Sequence, residues 1–118
     1  MMKALVADDE QIIRFGLKLV LKSLWPDIIV SEAQTLDGVA DLISTNDFNL
    51  AILDINMPGS SGLENLIEFS LQNTTVIIFS GYEKTSSRIE SLKQAGVDEF
   101  IFKDASVAEI KVALVSHF

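Results

Sequence analysis

The chain has 118 residues, with 17 acidic against 9 basic side chains, a formal net charge of -8 and no cysteine. This length suits one domain with a sizeable core, and the lack of cysteine excludes disulfides, thiolate metal sites and thiol nucleophiles. The negative charge argues against direct contact with nucleic acid, whose phosphates are bound mainly through Lys and Arg. No signal-peptide core and no membrane-length apolar run is present. We therefore expect a soluble, cytoplasmic protein with one domain over residues 1–118 and no second domain.

Five short apolar runs alternate with amphipathic stretches along the chain. In order, the runs cover residues 4–7, 28–30, 50–53, 76–79 and 100–102. Hydrophobicity that is continuous rather than alternating is typical of strands buried on both faces, and hence of a parallel sheet. The five strand-plus-helix units average about 24 residues, as βαβ units with short loops do. The pattern predicts an α/β fold, (βα)5, with a doubly wound five-stranded parallel sheet. The common strand order for such a sheet, which we expect here, is the flavodoxin-like order 2-1-3-4-5.

The first predicted helix covers residues 11–24. The pair Trp25-Pro26 ends it, because the residue before a proline is disfavoured in helical geometry. Trp25 is interpreted as a packing residue at the helix end. The residues expected on the buried face are Ile13, Leu17, Val20 and Leu24.

Later helices carry start and stop signals. The Ser-x-x-Glu patterns at 61–64 and 106–109 predict capping boxes. Gly96 is expected to end a polar fourth helix that begins near Lys84. In the last helix, one face is predicted to be buried and to carry Val107, Ile110 and Leu114. The apolar residues expected to point elsewhere, and to offer a surface to a partner, are Val112, Val115 and Phe118.

Polar side chains follow the predicted strands. Asp8 and Asp9 follow strand 1, Asp54 follows strand 3, Ser80 ends strand 4 and Lys103 follows strand 5. Open α/β sheets bind ligands at the carboxyl ends of their strands, and strands 1 and 3 are neighbours in the predicted order. Converging carboxylates repel one another unless a cation joins them, and hard oxygen ligands suit Mg²⁺. Carboxylates, Mg²⁺, lysine and a hydroxyl together describe a phosphoryl site, in which a carboxylate can itself be the acceptor.

In this arrangement the whole chain resembles the receiver domain of two-component response regulators. The matching residues are the pair Asp8-Asp9, Asp54 within the segment 54–59, Gly62, Ser80 and Lys103 after the run 100–102. None of these motifs is specific by itself, but their occurrence together, in this order, on a (βα)5 fold is specific.

The resemblance implies a role for each matching residue. Asp54 is implied to be the phosphoacceptor, and Lys103 to bind the phosphoryl group and to act with Asp54 as the catalytic pair. Asp8, Asp9 and Asp54 are implied to hold Mg²⁺, together with the backbone carbonyl of Asn56.

Other positions are implied to switch or tune the site. Ser80 would hydrogen-bond the phosphoryl group and swing inward, coupled to Phe100, which lacks the hydroxyl of the tyrosine often found there. Asp104 stands where many receivers have a proline that supports a cis peptide; since a cis bond before a non-proline residue costs about 3–4 kcal/mol, we expect trans geometry or strain there. Glu83 occupies a position that tunes phosphoryl lifetime in the family. His117, the only histidine, is expected to be solvated and unpaired.

The resemblance also implies a function. A sensor histidine kinase would phosphorylate Asp54 in a Mg²⁺-dependent reaction, and the protein would catalyse only its own phosphorylation and dephosphorylation. The switched surface would be helix 4, strand 5 and helix 5, with possible homodimerisation there. The segment 103–106 resembles receivers joined to a C-terminal helix-turn-helix DNA-binding domain, so the expected output is transcription through a domain outside this chain. No membrane contact is expected.

Three alternatives stay open at this point. The segment 53–56 superficially resembles the nucleophile strand of haloacid-dehalogenase phosphatases, but Asn56 stands where that family has a second aspartate. A nucleotide- or flavin-binding module would need glycines and N–H groups in the first loop, where this chain has carboxylates. A receiver that works without phosphorylation, purely as an interaction surface, is the third.

Overall fold

The computed structural model describes residues 2–81 and 86–118. Five parallel strands form one sheet in the order β2-β1-β3-β4-β5, as predicted. The strands are β1 (Lys3–Ala7), β2 (Ile29–Ala33), β3 (Leu50–Leu53), β4 (Thr75–Ser80) and β5 (Glu99–Phe102). The helices are α1 (Gln11–Leu24), α2 (Leu36–Thr45), α3 (Leu63–Ser70), α4 (Ser86–Ala95) and α5 (Val107–Val115), with a 3-10 turn at Ser60–Gly62 before α3.

Helices cover both faces of the sheet, and this explains the continuous apolar runs. Along β1, Ala4 and Val6 face the side covered by α1 and α5, whereas Leu5 and Ala7 face the side covered by α2, α3 and α4. Successive side chains of a strand point to opposite faces, so every residue of a central strand needs to be apolar. The flavodoxin-like (βα)5 prediction is confirmed.

The edge strand β2 departs from that pattern. Ile28 is buried but precedes the strand, and Ile29 within it is 44% exposed. The expectation of burial on both faces was therefore wrong at this position, because an edge strand has a neighbour on one side only.

The first helix begins and ends where predicted. Leu17 is buried as expected, and Leu21 and Arg14 are buried with it. Trp25 follows the helix and packs edge-to-face on Phe118, with ring centroids 5.6 Å apart. The interpretation of Trp25 as a packing residue is confirmed.

One of the two predicted capping boxes forms. Ser106 accepts the Glu109 backbone N–H at 3.1 Å, and the Glu109 carboxylate accepts the Ser106 N–H at 3.0 Å. Ser61, by contrast, lies inside the 3-10 turn, and Gly62 precedes α3 without a side-chain cap. The prediction at 61–64 was wrong because the turn shifted the helix start to Leu63.

The faces of α5 are confirmed except at one residue. Ile110 and Leu114 are buried, but Val107 is 55% exposed. Val107 is the first residue of the helix. Val112 and Val115 point away from the core, as predicted. Phe118 follows the helix and is half-exposed, but one side of its ring packs against Trp25.

Several smaller expectations are also decided. Gly96 ends α4 with a φ of +120°, a conformation that favours glycine; Lys84, where the helix was expected to begin, lies outside the described residues. His117 was expected to be unpaired, but its Nε2 lies 2.7 Å from Glu99 Oε1. The described peptide bonds are all trans, including the one before Asp104.

Within residues 2–81 and 86–118, no helix combines the length and apolar character that crossing a membrane requires.

Candidate functional site

Two buried carboxylates lie side by side at the carboxyl edge of the sheet. Ala7 of β1 pairs with Leu53 of β3, and the next residue of each strand is an aspartate. Asp8 and Asp54 are each 1% exposed. The Asp54 N–H donates to the Ala7 carbonyl at 3.0 Å, which continues the pairing by one residue. The strand order alone therefore brings together two carboxylates that are 46 positions apart in the sequence.

Lys103 joins these two carboxylates. Its backbone N–H donates to the Ser80 carbonyl at 2.8 Å, which places it beside the end of β4. Its Nζ lies 2.9 Å from Asp8 Oδ2 and 3.5 Å from Asp54 Oδ2. Glu10 Oε1 is also 3.5 Å from this nitrogen. One ammonium group thus faces three carboxylates.

Burial and charge oppose each other in setting the protonation of the site. Burial raises the pKa of Asp54, and the neighbouring Asp8 raises it further, while the Asn56 N–H at 3.1 Å and Lys103 lower it; the net direction is upward. Burial would lower the pKa of Lys103, but the hydrogen bond and charge of Asp8, with the charges of Asp54 and Glu10, raise it overall. The lysine therefore stays charged and favours the ionised form of Asp54.

The oxygen atoms around Asp8 fit a hard divalent cation. Asp8 Oδ2 is buried, and the Lys103 ammonium forms an ion pair with it at 2.9 Å. Carboxylate oxygens of Asp8, Asp9 and Glu10 lie within 4.8 Å of one another, with Asp9 and Glu10 exposed at the mouth of the site. Carboxylate oxygens with room for water are the ligands that Mg²⁺ prefers. Asp54 is connected to this cluster through Lys103 rather than being one of its members.

The remaining predicted residues lie at or near the same edge. Asn56 is exposed and follows Asp54 by two residues. Ser80 is buried at the end of β4, with its hydroxyl donating to the Gly81 carbonyl at 3.0 Å. Phe100 pairs with Ile78 across the sheet and packs, partly buried, against the α2/α3/α4 side of the core. Glu83 lies outside the described residues.

Two contributors to the site were not predicted. Glu10 belongs to the acidic run after β1, and that run was the available signal for it. Arg14 donates from Nη1 to the Asp8 carbonyl at 2.7 Å. A charged residue at a core-facing position of a helix, one turn after the acidic pair, was the signal for Arg14.

Comparison with known proteins agrees with this geometry. The family model for the response regulator receiver domain matches residues 4–115. The nitrate/nitrite response regulator protein NarL of Escherichia coli K12 is 32% identical over 113 residues, covering 93% of this chain and 51% of NarL. The transcriptional regulatory protein HptR of Staphylococcus aureus N315 is 32% identical over 117 residues, covering 97% of this chain and 45% of HptR. The chain thus spans about half the length of these relatives.

Solved structures share the fold. A CheY-like receiver domain protein from Methanospirillum hungatei superposes with a TM-score of 0.83 at 26% identity, covering 99% of this chain and 93% of that one. A LuxR family DNA-binding response regulator from Silicibacter pomeroyi gives a TM-score of 0.77 at 27% identity, covering 98% and 88%.

The fold, together with the paired aspartates and the bridging lysine at the carboxyl edge of the sheet, places the chain in a class of signalling domains. The match over residues 4–115 makes the assignment specific: the chain belongs to the response regulator receiver domain family of two-component systems. Its curated relatives include transcription regulators. The phosphatase and nucleotide-binding alternatives are set aside by this membership.

Proposed function

We propose that Asp54 accepts a phosphoryl group from the phosphohistidine of a sensor histidine kinase, and that Asp8, Asp9, Asp54 and the Asn56 backbone carbonyl hold Mg²⁺ during the reaction. The observation that carries the proposal is the position of Lys103 Nζ, which contacts both Asp8 and Asp54 at the carboxyl edge of the sheet. When bound, the cation supplies positive charge to the phosphoryl oxygens.

The reaction requires Asp54 to act as an ionised nucleophile. One of its carboxylate oxygens forms a bond to phosphorus while the bond from phosphorus to the kinase imidazole breaks, and the imidazole nitrogen retains that electron pair. Lys103 and the Asn56 N–H favour the ionised form against burial. Lys103 then has a phosphoryl oxygen as an additional anionic partner, and such charge-assisted hydrogen bonds are stronger than neutral ones. In this scheme the protein catalyses only the formation and loss of its own aspartyl phosphate.

The change in charge would be passed on through β4 and β5. Ser80 would leave its bond to the Gly81 carbonyl to reach the phosphoryl group, and Phe100 would move with it. Movement of these two residues would alter the surface formed by α4, β5 and α5. Exposed Val112 and Val115 on α5 make this surface suitable for a homodimer or another protein partner.

The proposed output is transcription, through a DNA-binding domain joined after this receiver. The support is the naming of HptR as a transcriptional regulatory protein and of the Silicibacter pomeroyi structure as a DNA-binding response regulator. The chain itself, with a net charge of -8, would act as one receiver domain over residues 1–118 without contacting DNA.

Phosphorylation by a small phosphodonor tests the proposal directly. The protein is incubated with Mg²⁺ and acetyl phosphate, and its intact mass is compared with that of Asp54→Ala. We expect one phosphoryl adduct on the parent protein and none on Asp54→Ala or in EDTA. An adduct of equal yield on Asp54→Ala would refute the assignment of the acceptor, and no adduct on the parent would favour a receiver that works without phosphorylation.

A further inference from the structure

Arg14 is a buried cation on the core-facing side of α1. It is 7% exposed, and Leu17 and Leu21 on the same side of the helix belong to the core. A charged side chain remains buried in a folded protein only where its charge is paired and its donors are bonded. The partners of the guanidinium therefore indicate why an arginine occupies this position.

The guanidinium connects two neighbouring strands. Its Nη1 donates to the backbone carbonyl of Asp8 at 2.7 Å, and its Nε donates to Glu32 Oε1 at 3.1 Å. Glu32 lies in β2, opposite Val6 of β1. Arg14 thus ties the first residue after β1 to a side chain of β2.

Asp8 is held by hydrogen bonds from several directions, one of them made by Arg14. Its backbone N–H donates to the Ala33 carbonyl at 3.1 Å, its carbonyl accepts from Arg14, and its Oδ1 accepts the Glu10 N–H at 2.8 Å. The other carboxylate oxygen of Asp8, Oδ2, takes no part in these bonds and lies 2.9 Å from Lys103 Nζ. Rotation of either peptide unit of Asp8 would break a hydrogen bond, to the Ala33 carbonyl or from the buried Arg14 guanidinium. Leaving a buried polar group without its partner is costly.

We infer that Arg14 is a positioning residue for the phosphoryl-transfer site, because it holds the Asp8 backbone to β2 and so directs Asp8 Oδ2 towards Lys103, which also contacts Asp54. The inference rests on the proposed function and deepens it. In the described part of the chain, Arg14 bonds Asp8 and Glu32 rather than Asp54 or Lys103, so it acts through Asp8. Residues that support a metal ligand in this way typically change metal affinity by about 10- to 100-fold when they are removed.

A different role for Arg14 would be purely structural, through its ion pair with Glu32. Three substitutions separate the two roles. Arg14→Met removes both contacts and leaves an apolar side chain in the core. Glu32→Gln removes the charge pair and leaves the bond from Arg14 to the Asp8 carbonyl. Arg14→Lys keeps the charge but cannot bond both partners as the guanidinium does.

Two measurements are made on each variant. The first is amide hydrogen exchange at Asp8 in EDTA, followed by NMR, which needs no bound ion. The second is the dissociation constant for Mg²⁺, measured by calorimetry. For Arg14→Met we expect exchange at Asp8 to accelerate, and Mg²⁺ binding to weaken by about tenfold. For Glu32→Gln we expect values close to those of the parent protein, and for Arg14→Lys intermediate ones.

The inference is overturned if folded Arg14→Met retains the parental exchange rate at Asp8, or if Glu32→Gln loses as much as Arg14→Met in both measurements. If Arg14→Met does not fold, the inference is overturned when Arg14→Lys retains the parental exchange rate at Asp8. If the parent protein binds no Mg²⁺ and takes up no phosphoryl group, the proposed function fails, while the exchange experiment in EDTA still decides the role of Arg14.

Discussion

Lys103, which follows β5, reaches across the ends of β4 and β3 to bring its Nζ within 2.9 Å of Asp8 Oδ2, which follows β1. This ion pair spans most of the chain and has Asp54 at its side, 3.5 Å from the same nitrogen. It is the contact through which the first and last strands of the sequence share one site. Its removal should therefore affect both stability and chemistry.

Substitution of Lys103 should strongly destabilise the protein. In Lys103→Met, the buried carboxylates of Asp8 and Asp54 lose their shared cation, and loss of one partner of a buried ion pair costs about 3 kcal/mol or more. Urea unfolding at neutral pH in EDTA measures the effect. Lys93→Met, which removes an exposed lysine of α4, should change stability by less than about 0.5 kcal/mol. Equal losses in the two variants would contradict the ion-pair account.

Substitution of Asp54 should stabilise the protein in the absence of divalent cations. Because the folded-state pKa of Asp54 is raised, the folded protein binds this proton more tightly than the unfolded chain does. The carboxylate therefore lowers the free energy of unfolding at pH values above its folded pKa and has no such effect below its unfolded pKa. Asp54→Asn should unfold at a higher urea concentration than the parent near neutral pH, and this gain should disappear in acid.

The pH dependence supplies the check on that prediction. Unfolding is measured in EDTA at a series of pH values for the parent and for Asp54→Asn, with Asp47→Asn as the control. Asp47 is exposed and precedes β3, at the opposite edge of the sheet. A gain that is equal for both variants, or that grows towards acid pH, would contradict the proposed cause.

Magnesium should stabilise the folded protein through the acidic site. A ligand that binds only the folded state at about ten times its dissociation constant raises the free energy of unfolding by about 1.4 kcal/mol. We expect this gain for the parent protein and for Asp47→Asn, and a much smaller one for Asp9→Asn, which removes an exposed carboxylate of the cluster. Thermal unfolding with and without EDTA measures it. An undiminished gain in Asp9→Asn would remove that residue from the proposed ligands.

The two serines predicted to cap helices should now behave differently. Ser106→Ala should lower the free energy of unfolding by about 1 kcal/mol, the typical effect of losing an N-cap, because Ser106 accepts the Glu109 N–H. Ser61→Ala should change it by less than about 0.5 kcal/mol, since Ser61 caps no helix. Urea unfolding of both variants measures these changes. A larger loss of stability in Ser61→Ala than in Ser106→Ala would contradict the observed start of α3.

The capping box also makes α5 sensitive to acid. The Glu109 carboxylate accepts a hydrogen bond from the Ser106 backbone N–H, and hydrogen bonding with Ser106 lowers the pKa of Glu109. The stability that this carboxylate contributes is therefore present above its unfolded pKa and is lost as the pH falls through the folded value. Glu109→Gln should abolish that part of the acid dependence, which unfolding curves between neutral and acid pH would detect.

Much of the architecture followed from local patterns in the sequence. The continuous apolar runs, the bounds of α1, the stop at Gly96 and the box at Ser106 each depend on residues within one element or its nearest neighbours. Apolar residues at regular spacing determine which face of an element is buried, and turn and cap residues determine where it ends. Ser61 was mispredicted because the same local pattern suits both a helix cap and the turn before it.

Other features depend on residues that are distant in the sequence and were decided by the tertiary structure. The types of residue at Asp8, Asp54 and Lys103, with the expected strand order, were enough to predict a shared site from the sequence alone. Only the folded chain determined that Lys103 faces Asp8 more closely than Asp54, that Arg14 holds Asp8 to β2, and that His117 pairs with Glu99. Charged side chains reach their partners across the ends of several strands, and no local periodicity records the direction in which a long side chain will turn.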